Sequence, residues 1–156
     1  MLAKIISGGQ TGADQAGLDA AMDCGVEHGG WIPKGRPTNS GTLSTKYKLE
    51  EMTTKSYPKR TEKNILSSDG TVIFSRGTLS GGSALTKRLA AKHSKPLLHL
   101  NLTKMNRAEA VGTLSAWVQM NNIAVLNVAG PRASKDPGIY DEAYNVVRGA
   151  LGFSSE

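Results

Sequence analysis

Three times along the chain, a short apolar or β-branched run gives way to small polar residues and then to a helical pattern. Leu2-Ala3-Lys4-Ile5-Ile6 runs into Ser7-Gly8-Gly9-Gln10-Thr11-Gly12 and a helix-like stretch over residues 13–22. The strand-like run 71–75 leads into Arg76-Gly77-Thr78-Leu79-Ser80-Gly81-Gly82-Ser83 and a helical stretch over 84–93. The run 123–128 leads into Ala129-Gly130-Pro131-Arg132-Ala133-Ser134 and a helical stretch over 139–151.

The intervening pattern completes the fold class. Residues 29–35 read as a second strand ending in a proline–glycine turn, and residues 36–63 as a long irregular stretch in which only 47–52 suggest a helical turn or two. Asp69-Gly70 marks a turn, Lys95-Pro96 ends a helix, and 97–102 is a buried-looking strand. Asn106 with Glu109 has capping-box spacing, and Ala110, Leu114, Trp117 and Val118 recur at helical intervals, which assigns Trp117 to the core. This order predicts an open, mostly parallel, doubly wound α/β sheet with helices on both faces. It forms one domain spanning residues 1–156, with no internal repeat and no linker.

In a parallel sheet every strand-to-helix loop emerges at the carboxyl edge, so the three small-residue loops meet there. Glycines let backbone approach a ligand, and a helix start offers unpaired N–H groups to an anion. The expectation is therefore a site for a phosphate-bearing small ligand or an oxyanion. Gly8, Gly9, Gln10, Thr11 and Gly12 form its main cradle. Gly77, Thr78, Gly81, Gly82 and Ser83 form a second wall, to which Ser75 adds a hydroxyl. Arg132, aimed by Gly130-Pro131, is the charge anchor, ahead of Arg76.

Composition narrows the classes. The chain has 156 residues and one cysteine, Cys24, which excludes an internal disulfide and a thiolate cluster. There is no run long enough to cross a bilayer and no signal-peptide layout at residues 1–6, so a cytoplasmic protein without a membrane partner is expected. His28, His93 and His99 lack metal-ligand spacing, and no metal site is assigned. The formal net charge of +6 is uneven: residues 32–63 hold eight basic side chains against three acidic ones. Such a segment suits a lid that brings cations to a bound anion, with Lys34 and Arg60 as contributors. As a nucleic-acid surface it has only Tyr47 and Tyr57 for stacking, which ranks that partner third. Both Walker and full Gly-x-Gly-x-x-Gly motifs are missing, against ordinary NTPase and dehydrogenase readings.

Thr11 and Asp14 have Thr-x-x-Asp spacing at a helix start. They read either as a near capping box or as ligand groups, with Asp14 accepting from a ribose hydroxyl, holding a cation or acting as a catalytic base.

Gly8-Gly9-Gln10-Thr11-Gly12-Ala13-Asp14-Gln15-Ala16-Gly17-Leu18-Asp19, Gly30-Trp31-Ile32-Pro33-Lys34-Gly35, Ser68-Asp69-Gly70-Thr71 and Gly130-Pro131-Arg132 resemble, in this order, the putative molybdenum carrier family. That family is similar to a circularly permuted YpsA-type branch of the Rossmann-like SLOG superfamily. The resemblance covers nearly the whole chain. It implies a single Rossmann-like domain with a crevice formed by the glycine loops, and a carrier of molybdate or the molybdenum cofactor, or a sensor of a nucleotide. Another branch, the cytokinin-activating phosphoribohydrolases, suggests a nucleotide-processing hydrolase as the alternative. Its Pro-Gly-Gly-x-Gly-Thr-x-x-Glu motif is unmatched at Arg76–Thr86, leaving Asp14, Asp69 or Glu50 to supply a carboxylate. Related folds pair through helix faces, so a homodimer or higher homo-oligomer is expected.

Overall fold

The computed structural model describes residues 2–152. Its central sheet has five parallel strands: β1 (Lys4–Ile6), β2 (Glu27–Gly29), β7 (Gly70–Ser75), β8 (Leu97–Asn101) and β9 (Val125–Ala129), in the order β2-β1-β9-β7-β8. Small two-stranded ribbons join β3 (Trp31–Ile32) to β6 (Glu50–Glu51) and β4 (Pro37–Thr38) to β5 (Gly41–Thr42). Five helices complete the chain: α1 (Ala13–Asp23), α2 (Tyr57–Leu66), α3 (Gly81–Lys92), α4 (Arg107–Met120) and α5 (Ile139–Ala150). The molecule is a Rossmann-like, doubly wound α/β fold.

Helices α1, α4 and α5 pack together on one face, and α2 and α3 on the other. The first face is the larger core. Leu126 and Val128 of β9, Val72 and Phe74 of β7 and Leu100 of β8 meet Ala16, Leu114, Val146 and Val147 there. Close approach is specified at Gly17, where a Cβ would stand 2.8 Å from the Val128 side chain. Alternation turns Thr71, Ile73, Ser75, Asn127 and Ala129 toward α2 and α3.

The last strand in sequence, β9, lies between β1 and β7. Its exit loop leads to α5 on one face, whereas the adjacent β7 exits to α3 on the other. Their loops part, and that divergence opens a crevice at the carboxyl edge. Asp69 closes the opposite edge, its Oδ2 accepting from the N–H groups of Ala124 and Val125 at 3.0 and 2.8 Å.

Two local expectations are corrected. The strand over 29–35 is split, because Gly30 takes φ +124 against the Ser7 carbonyl, and a Cβ there would lie 2.2 Å from that oxygen. The 36–63 stretch is irregular only as far as Ser56, between the two-residue strands β4, β5 and β6. Residues 47–52 are not helical; they lead into β6, and the helix lies later, as α2, capped by Ser56 and started by Pro58. Leu43, Tyr47 and Leu49 join Leu18 and Ile32 in a second small core. The Arg36 guanidinium fastens this segment by donating to the carbonyls of Ser44, Tyr47 and Leu49 at 2.9–3.3 Å. One of the eight basic side chains is thereby a structural clamp. Trp117 is half-buried against the edge of the larger core.

Candidate functional site

The crevice is a cleft of about 920 Å³ that reaches from the carboxyl edge down between α2 and α3. Gly8, Gln10 and Asp14 reach it from the first loop, and Ser75, Arg76, Thr78, Gly82 and Ser83 from the second. Gly130, Pro131 and Arg132 come from the third, and Arg60 from α2. All three loops therefore meet, but not in the arrangement expected.

The first loop is not an open cradle. Gly12 is the N-cap of α1 at φ +87, and the third loop sits directly on it: a Cβ would stand 2.4 Å from the Pro131 carbonyl oxygen. That oxygen accepts the Ala13 N–H at 3.2 Å, and the Gln10 carbonyl accepts the Gln15 N–H at 3.1 Å, so two N–H groups of the α1 start are taken by protein. Gly9 is turned into the second core, against Leu43 and Leu49. Thr11 faces the third loop, where its Oγ1 accepts the Ala133 N–H at 3.3 Å. Gln10 Oε1 accepts from the N–H groups of Thr11 and Asn39 at 2.9 and 2.8 Å, tying the β4–β5 ribbon to the cleft rim.

The capping-box reading of Thr11 and Asp14 is likewise corrected. Neither side chain caps α1. Asp14 Oδ2 instead accepts the Gln10 N–H at 3.2 Å. Burial raises its pKa from 3.8 to about 6, against the opposing pull of Arg60 and the loop N–H groups. Arg60 crosses from α2 to donate to the Gly8 carbonyl at 2.6 Å, and any Cβ at Gly8 would collide with its guanidinium. Glycine at position 8 therefore admits an arginine.

The open helix start belongs to α3. Its N-cap, Ser80, makes no side-chain cap, and Gly82 has open space where a Cβ would be. Among the described residues the N–H groups of Thr78, Leu79, Gly81 and Gly82 meet no protein acceptor. Gly77 shapes this turn at φ +91, and Ser75 Oγ donates to its carbonyl and meets His99 Nε2. Lys135, which sequence reasoning passed over, brings its ammonium to 3.6 Å from where a Gly81 Cβ would stand.

Arg76 and Arg132 differ in how far they are already engaged. Arg76 is paired with Asp136 at 2.9 Å. Arg132 donates to the neutral Ser134 Oγ at 3.1 Å and has no acidic partner among the described residues. Lys34 does not reach the cleft: it sits in the turn after β3, its N–H donating to the Thr54 carbonyl. Neither do Asp69, at the opposite sheet edge, or Glu50, in β6, so Asp14 is the one carboxylate of those three in the wall.

Four cations (Arg60, Arg76, Arg132, Lys135) face two carboxylates (Asp14, Asp136) around the cleft. Free N–H groups, hydroxyls and guanidinium forks are hard donors for an anion rather than ligands for a bare metal. Sequence reasoning also missed Asn127 on the floor and Tyr57, Thr61 and Asn64 on the α2 wall. The signal for Asn127 was a lone amide within the apolar run 123–128. For α2 it was Ser56 followed by Pro58, a helix-start pair.

Among the described residues no helix is long and apolar enough to cross a membrane. No curated protein matches the chain. A crystal structure at 1.45 Å resolution from Syntrophus aciditrophicus SB, named a putative molybdenum carrier protein, is 49% identical, with a TM-score of 0.92 over 94% of this chain and 92% of that one. Residues 5–151 match the model of the circularly permutated YpsA SLOG family. With that match running through all three loops of the cleft, the chain belongs to this family.

Proposed function

We propose that this protein binds a phosphate-bearing small molecule or an oxyanion in the cleft and acts as its carrier or sensor. One observation carries the reading: the uncapped start of α3 lines the same cleft, where β7 and β9 diverge, as Arg132 and Lys135, which have no acidic partner among the described residues. A helix start and a guanidinium fork together favour a tetrahedral anion. The name of the Syntrophus protein points to molybdate or the molybdenum cofactor as cargo, and the donor set suits a molybdate dianion or a cofactor phosphate. It suits a nucleotide phosphate equally.

Hydrolysis of a nucleotide is a second reading, favoured by Asp14. It lines the cleft, and a pKa near 6 leaves it able to hold or release a proton at neutral pH. Its carboxylate is fixed by the Gln10 N–H, which limits it to short-range work.

A thermal-shift panel with molybdate, phosphate, AMP, ADP, ATP and a phosphorylated pterin tests the binding reading. A ligand at a hundred times its dissociation constant adds about 2.7 kcal/mol, on the order of 5–10 °C for this size. A shift that disappears in Arg132→Ala is expected. Equal shifts in wild type and Arg132→Ala overturn the site, and release of free base from the nucleotides moves the protein to the hydrolase class.

A further inference from the structure

The sheet is chemically two-sided. Toward α1, α4 and α5, the strands β7, β8 and β9 present Val72, Phe74, Leu98, Leu100, Leu126 and Val128, all apolar. Toward α2 and α3 the alternate positions include Thr71, Ser75 and Asn127, which are 0%, 5% and 4% exposed. Polar groups at that depth are costly unless every one has a partner. Ser75 is fully engaged by Gly77 and His99. Asn127 is not. Its amide nitrogen meets Thr71 Oγ1 at 3.2 Å, and its Oδ1 has no hydrogen-bond partner among the described residues. Asn127 lies on the cleft floor and is not sealed from it, so the unpaired end of the amide faces the space between the helices.

That space is more than an oxyanion needs. Pockets of ~300–1,000 Å³ enclose whole drug-sized ligands, and this cleft of about 920 Å³ lies near the top of the range. Arg76, Arg132 and Lys135 gather at the mouth around the α3 start, while Arg60 crosses from the α2 wall to the Gly8 carbonyl, its guanidinium 5.6 Å from the Tyr57 ring centroid. Beyond these cations the walls are uncharged: Pro58 and Thr61 on the α2 side, Leu85 and Thr86 on the α3 side. A charged mouth and a neutral, partly apolar interior over one buried amide describe a ligand with two unlike ends.

We infer that Asn127 reads the edge of a heterocyclic ring inserted between α2 and α3, so that the ligand is a phosphorylated heterocycle and not a free oxyanion. This rests on the anion site proposed above. A ring carrying adjacent donor and acceptor atoms, as purines and pterins do, matches a carboxamide in a paired hydrogen bond. The ring end sets which ligand binds; the phosphate end sets that it binds at the mouth. Thr71 holds the amide plane, which turns a flexible side chain into an oriented one.

Isothermal titration with molybdate, inorganic phosphate, AMP, GMP and a phosphorylated pterin separates the two claims. At least one ring-bearing probe is expected to bind about tenfold or more tighter than phosphate and molybdate, since burying the ring satisfies the amide. Asn127→Ala should remove that advantage while leaving the affinity for inorganic phosphate unchanged. Asn127→Ser, which keeps a hydroxyl beside Thr71, does the same with less risk to folding. Molybdate or phosphate binding as tightly as every ring-bearing probe, with dependence on Arg132, overturns the ring subsite and leaves the anion site standing. A ring-bearing probe held equally by wild type and both Asn127 variants also overturns it. No binding by any probe overturns both.

Discussion

The carbonyl oxygen of Pro131 accepts the N–H of Ala13, the first residue of α1, at 3.2 Å. Through this contact the third glycine loop occupies the helix start that the first loop builds. The first N–H of α1 is thereby taken by protein, whereas the N–H groups of Gly81 and Gly82 at the α3 start meet no protein acceptor among the described residues. The same contact carries Pro131 and Arg132 to the mouth of the cleft.

Gly12 is the position most sensitive to this arrangement. A Cβ there meets the Pro131 oxygen at 2.4 Å and must also adopt φ +87. Gly12→Ala should cost about 3 kcal/mol or more, measured by urea denaturation. Gly82→Ala, in open space at the α3 start and without a positive φ, should raise stability by about 0.5–1 kcal/mol. A mild Gly12→Ala would mean that the third loop does not seat on α1.

Asp14 makes stability depend on pH in an unusual direction. An unfolded chain releases this proton near pH 3.8, whereas the folded protein holds it to about pH 6. Between those values the unfolded state binds fewer protons, so stability falls as pH rises from 4 to 6. The penalty above pH 6 is about 3 kcal/mol. Asp14→Asn should therefore be more stable than wild type at pH 7 and indistinguishable from it at pH 3.5. Parallel pH–stability curves for the two proteins would refute the assignment.

Arg76 and Asp136 should matter for binding far more than for folding. Arg76 is 39% exposed on its side-chain surface, and an ion pair of that kind contributes under about 1 kcal/mol to stability. Arg76→Ala leaves the Asp136 carboxylate uncompensated in the cleft wall. Anion affinity should fall, more steeply at low salt than at high salt. The double variant Arg76→Ala/Asp136→Asn should recover part of that loss. Titrations with phosphate at two salt concentrations decide it.

Ser56 starts the helix that carries Arg60 to Gly8, its Oγ accepting the Lys59 N–H at 3.3 Å. Ser56→Ala should cost about 1 kcal/mol. Leu43→Ala, in the small core beneath this segment, should cost about 2–5 kcal/mol. Chemical denaturation measures both. Equal, negligible losses would mean that the segment is not docked on α1.

Local sequence was sufficient for the elements built by periodicity and punctuation. The β-branched runs, the capping box of Asn106 and Glu109, and the alternation of strand and helix after residue 70 all act over a few residues, and each forms where its pattern lies. These signals were enough for the doubly wound class and for the meeting of three loops at one edge. Helix α2 was also written locally, in Ser56 and Pro58, beneath a polar composition that reads as loop.

Which glycine loop stays open was decided only in three dimensions. Gly12 and Gly82 are both small residues at helix starts. One is covered because β9 inserts beside β1 and brings Pro131 onto it; the other lies where adjacent strands send their chains to opposite faces. Arg36 and Arg60 stand in one basic segment, yet one binds three carbonyls of its own loop and the other reaches the cleft. Periodicity specifies which face a residue takes along its own element. It carries no information about which distant carbonyl will arrive at a helix start, because that depends on strand order.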